Sequence, residues 1–154
     1  MVNPYLFAPF FGVPAGVYSM HHCVMHHIEN NLFPWDISST EPYKRDSVTG
    51  YLKYLAYWSA TVWVLLPAYL YKRKKMSFFK KTIKNIASFA LCLVLFWMIN
   101  PVATLWVFII PLGVSLLALS FGNYSQHIFI DPKDPKSNYG LTYNCVNCLD
   151  NAYT

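Results

Sequence analysis

Between Asp46 and Asp131 this chain carries no acidic residue, and that interval holds three apolar segments: Tyr54 to Tyr71, Ile86 to Ile99 and Val102 to Phe121. A water-soluble fold must cover its surface with polar side chains, and typical globular chains are roughly 25% charged. Here charged residues make up 12% of 154, against 55% apolar and 18% aromatic. Lipid is therefore the expected solvent for part of the chain. The third segment has the length of a full crossing, whereas Ile86 to Ile99 is short of the roughly 20 residues a span needs unless its neighbours extend it. Asn100-Pro101 between them is turn chemistry suited to antiparallel helices. The expected fold class is all-α: a multi-pass membrane protein, with a transmembrane helical hairpin at about residues 84–121, interfacial helices and cytosolic histidine-bearing segments.

The net charge of +5 is concentrated rather than spread. Seven of the twelve basic residues are Lys72, Arg73, Lys74, Lys75, Lys80, Lys81 and Lys84. Set between two apolar segments, such a run marks the cytoplasmic flank of a membrane span. It does not form the separate basic domain that nucleic-acid binding needs, so no nucleic-acid partner is expected. Cys23, Cys92, Cys145 and Cys148 make no disulfide framework, and the single C-x-x-C pair reads as an ordinary polar loop. Pro4, Pro9 and Pro14 interrupt the apolar amino terminus, and no basic region precedes it. It reads as the tail of a membrane or interfacial segment, not as a secretory signal. Asp131-Pro132 and Asp134-Pro135 predict an ordered loop, Ser38 to Pro42 reads as turn or cap chemistry, and Ser47 is placed to cap a helix starting near Tyr51.

Chemistry concentrates in MHHCVMHHIENN, where His21, His22, His26 and His27 fall within seven residues. On an α-helix, His22, His26 and His27 occupy neighbouring faces, while the adjacent His21 and His22 point apart. Two or three imidazoles can converge on one ion and the others reach a second. Neutral imidazole is the commonest metal-binding side chain. Asn123 and His127, in GNYSQHIF, stand four apart at the end of the third apolar segment and share one helical face. To join one site, His127 and the first cluster must lie on the same side of the membrane. If Tyr54 to Tyr71 lies in the interface, the last two segments form a hairpin, and histidines and basic run face the cytoplasm together. If it crosses, the basic run faces outward and the last two segments cross as one.

These residues resemble the membrane fatty acid desaturase and hydroxylase superfamily, whose histidine boxes hold two irons on cytosolic loops. The resemblance covers nearly the whole chain, residues 1–154, as a partial desaturase domain. MHHCVMHHIENN looks like the second box, widened to H-x-x-x-H-H at His22, His26 and His27, and the N-x-x-x-H of Asn123 and His127 looks like the element closing the last membrane hairpin. It implies two Fe ions as cofactor, with His21, His22, His26, His27 and His127 as ligands and Asn123 acting through a water. It also implies O2, a membrane lipid or acyl substrate, and an electron donor such as cytochrome b5 or a ferredoxin. The expected location is the endoplasmic reticulum membrane if the source is eukaryotic. The family's first box and its final H-x-x-H-H box have no counterpart here, so the chain is expected to be a fragment, inactive alone.

Three other readings compete with the desaturase one. A hydroxylase of the same superfamily would share the boxes, and a degenerate relative would bind a metal or partner without turnover. A zinc or copper transporter would place ionisable residues within the spans. The apolar segments carry no charged residue, which counts against a transporter.

Overall fold

The computed structural model describes residues 7–127, and the Cys145–Cys148 pair and the Asp131–Pro135 loop lie outside them. All regular structure among these residues is helical. A 3-10 turn, Ala8–Phe11, comes first. The histidine-bearing helix α1 is continuous but compound: α-helical Val17–His21, π-helical His22–His26 and a last α-turn His27–Glu29. It stops because Asn30 and Asn31 both adopt left-handed backbone, with φ of 53° and 60°. Asparagine tolerates that region better than most residues.

Helix α2 (Val48–Lys72) is longer than the apolar run predicted and begins three residues earlier than Tyr51, directly after Ser47. The Ser47 hydroxyl accepts the Gly50 N–H at 3.4 Å, as a cap should. Its buried residues include Tyr54, Trp58, Val62, Leu66 and Leu70, one every four positions, so a single stripe faces the core. Val17, Met20 and Met25 of α1 pack on this stripe together with Tyr124. Where the alternative is water, burying each leucine contributes roughly 2 kcal/mol.

Helix α3 (Met76–Ile99) recruits ten residues before Ile86, which removes the shortfall in its length. Helix α4 (Pro101–Gln126) follows after Asn100 alone. The Asn100 side chain accepts the Ala103 N–H at 3.0 Å, and Pro101 occupies the first turn, where a missing N–H costs nothing. Both helices are long and apolar enough to cross a membrane, α2 is not among such helices, and only 11% of each candidate span is buried within the protein. A soluble core helix would be mostly buried. These two instead turn broad apolar surfaces outward, with Leu91, Met98, Trp106 and Val114 among the exposed side chains.

The amino-terminal segment lies against both arms. Asn85 of α3 donates to the Ala15 carbonyl at 2.6 Å, and Ser115 of α4 donates to the Phe11 carbonyl at 2.5 Å. The basic link between α2 and α3 holds the other end of α1: Lys75 donates to the Val24 carbonyl at 3.2 Å, and Arg73 pairs with Glu29 at 2.7 Å. The basic run and the histidine helix thus share one end of the molecule.

Candidate metal centre

The π-helical turn sets the geometry of the histidine cluster. In a π-turn the backbone repeats at i+5, and the His27 N–H donates to the His22 carbonyl. That register brings the side chains of His22 and His27 together, Nε2 to Nε2 at 3.0 Å. An unbroken α-helix would have turned them apart. The same turn frees His26 to face inward, where its Nε2 meets His127 Nε2 at 3.2 Å. His127 follows the last turn of α4, and its N–H still donates to the Asn123 carbonyl at 3.2 Å, so the predicted four-residue relation holds.

His26 is held from behind. Its Nδ1 lies 2.6 Å from Asp36 Oδ2, both residues being buried. The other oxygen, Asp36 Oδ1, accepts the Ser38 N–H at 2.8 Å and the Ser38 hydroxyl at 2.6 Å. Burial alone would raise the Asp36 carboxyl, but the hydrogen bonds from His26 and Ser38 outweigh it and hold it below the usual range. Asn31, 1% exposed, closes the loop by accepting the Thr40 N–H at 2.8 Å and donating to Thr40 Oγ1 at 3.1 Å. The run Ser38 to Pro42, read from sequence only as turn or cap chemistry, thus joins Asp36 in the support of His26.

Asn123 joins that support. Its amide nitrogen donates to the Ser38 carbonyl at 2.9 Å and to the Tyr54 hydroxyl at 2.8 Å. His21 has a different setting from the other histidines: its Nε2 accepts the Trp58 indole N–H at 3.2 Å. Burial first, and then the neighbouring imidazoles against an opposing Asp36, lower it to about 4. His22, half-buried, is lowered as well, by burial and then by His27 and His26. All five histidines, with Asn123, Trp58 and Tyr18, line one cavity of about 470 Å³.

Donors each about 2 Å from one metal ion stand roughly 3 Å apart, which is the spacing of both Nε2 pairs. With Nδ1 turned to Asp36, the His26 ring directs Nε2 at its partner, the arrangement that orients a ligating imidazole. A histidine-only donor set suits iron of borderline softness. The residues therefore fit a metal two by two. Among the described residues no group of three or more histidine, cysteine, aspartate or glutamate side chains is arranged to hold one.

Comparison with known proteins adds one finding. A family model described as fatty acid desaturase matches residues 2–151. No curated protein and no solved structure matches.

Proposed function

Because the chain belongs to the fatty acid desaturase family, we propose that its histidine cavity serves O2-dependent oxidation of acyl-lipid C–H bonds in a membrane, with two irons as cofactor. The observation that carries this reading is the approach of His26 to His127 across 101 positions, with Asp36 behind His26. When bound, the irons supply O2 activation and removal of hydrogen from an unactivated acyl C–H bond.

His22, His26, His27 and His127 are the residues that would hold them. Asp36 keeps the His26 proton on Nδ1, so that the Nε2 lone pair faces the cavity. Asn123 spends its N–H groups on Ser38 and Tyr54, which fixes its plane and reserves its carbonyl oxygen for a water on the cavity side. His21 is a wall residue in this reading, its Nε2 committed to Trp58. Helices α3 and α4 cross the bilayer as a hairpin and α2 lies in the interface. The histidines and the basic run then share the cytosolic face, as the positive-inside tendency prefers. Electrons come from a cytochrome b5 or ferredoxin-like donor, and the location is the endoplasmic reticulum in a eukaryote.

The test is iron content of the purified chain by plasma mass spectrometry, with acyl products analysed from cells that express it in air and under argon. Retained iron that falls in His26→Ala and His127→Ala, with O2-dependent product, supports the proposal. Retained iron without product fits both a desaturase-type chain inactive alone and the non-enzymatic reading, and hydroxylated product supports the hydroxylase one. A chain that retains no iron contradicts the centre itself.

A further inference from the structure

A second path, separate from the histidine cavity, runs along α3. At the basic end of the helix, Lys80, Lys81 and Lys84 border a cavity of about 620 Å³, with Asn85 and Ser88 beyond them and Pro9 and Ala15 opposite. A cavity of about 380 Å³ starts from the same Ser88 and Cys92 and continues past Leu95 and Phe96 to Ile99. The two meet at shared residues and make one groove, cationic at its head and apolar below. No acidic side chain lines either part, and neither shares a lining residue with the histidine cavity.

The dimensions match one kind of molecule. From Lys84 to Leu95 the helix rises about 16 Å, close to half of a hydrocarbon core of about 30 Å. A ligand filling the groove therefore has an anionic head, to answer three ammonium groups, and a tail about one leaflet long. Lysines flanking a span attract anionic headgroups. Here they also stand over an apolar channel that continues from them, which a bare basic patch does not provide.

We propose that this groove binds an anionic membrane phospholipid, its phosphate among Lys80, Lys81 and Lys84 and one acyl chain along Ser88, Cys92 and Leu95. The inference rests on α3 lying in a bilayer and not on the iron chemistry, so either can fail alone.

The experiment is native mass spectrometry of the full chain with phosphatidylglycerol, and with phosphatidylcholine of the same acyl chains. The wild-type chain should retain phosphatidylglycerol in preference, and K80Q/K81Q/K84Q should weaken retention at least about tenfold. K53Q/K72Q/K74Q, which removes equal charge outside the groove, should leave it within about twofold. Cys92→Trp, or Ser88→Trp should the first not show the wild-type helical circular dichroism, should block retention with all three lysines present. Inorganic phosphate at the lipid's concentration should displace none of it. Equal losses in the two lysine triples, retention in the blocked variants, or displacement by phosphate alone would each overturn the proposal.

Discussion

Asp36 and His26 are ten residues apart in the chain, 2.6 Å apart in space, and 1% and 5% exposed. That contact joins the loop after α1 to the imidazole that meets His127 at the end of α4. Carboxylates behind ligating histidines fix ring orientation, and their loss typically weakens metal affinity 10–100-fold. Asp36→Asn keeps an acceptor for the Nδ1 proton but loses the charge. Competition against a chelator should show iron bound roughly tenfold more weakly or worse in this variant. An unchanged affinity would remove Asp36 from the account.

His21 and His127 separate by the same assay. His127 meets another imidazole, whereas His21 Nε2 takes an indole N–H. His127→Ala should lose the iron shared with His26 and keep that of the His22–His27 pair, while His21→Gln, which keeps an acceptor for Trp58, should retain both. The reverse order would show that Trp58 releases His21 when metal binds.

Asn123→Ala removes an amide that ties α4 to the Ser38 carbonyl and the Tyr54 hydroxyl. Leaving buried partners unsatisfied costs about 1–3 kcal/mol. A melting curve in detergent should shift downward, and the Asp36–His26 contact should loosen with it. Thermal stability equal to wild type would contradict this bracing role.

Tyr69 gives a pH-dependent prediction. Burial first, and then its hydrogen bond to the Glu29 carboxylate, push the hydroxyl from 10.0 up to about 12. A raised folded pKa means that the folded chain holds this proton more tightly than the unfolded one. Its contribution is complete below pH 10.0 and is lost as pH rises towards about 12. Tyr69→Phe should remove that part of the alkaline loss of stability, read as the difference between the two melting profiles and by tyrosinate absorbance. Identical alkaline profiles would contradict it.

Gly12 tests the packing of the amino-terminal segment on α4. Its φ is +71°, and a Cβ there would lie 2.0 Å from the Leu112 backbone nitrogen. Gly12→Ala has to push two backbones apart, and a destabilisation above about 2 kcal/mol is expected. A variant with wild-type melting would show that the segment does not seat there.

Much of this arrangement was legible in residue type and spacing. The Asn100-Pro101 break, the Ser47 cap and the one-turn helical relation of Asn123 to His127 depend on local chemistry that a few neighbouring residues determine. The pairing inside the histidine cluster was not legible, because α-helical spacing places His22, His26 and His27 on adjacent faces. A π-turn over His22–His26 redistributes them into two pairs. Asp36 was hidden for a different reason. An aspartate beside serines and a threonine reads as a turn, whereas the doubled left-handed backbone at Asn30 and Asn31 reverses the chain so that this turn lies under His26. Helix α2 read by composition as an apolar segment that lies in the interface or crosses, and its stripe from Tyr54 to Leu70, which composition does not single out, is the core on which α1 and α4 pack.

The central claim is that imidazoles from α1 and from the end of α4 hold iron together. X-ray absorption at the iron edge of the iron-loaded chain tests it most directly. The account predicts a nitrogen and oxygen first shell with imidazole scattering, weakened when His26 and His127 are both changed to phenylalanine and lost when His22 and His27 are changed with them. A shell dominated by sulfur or carboxylate, or an imidazole signal that the double change leaves at full strength, would contradict it.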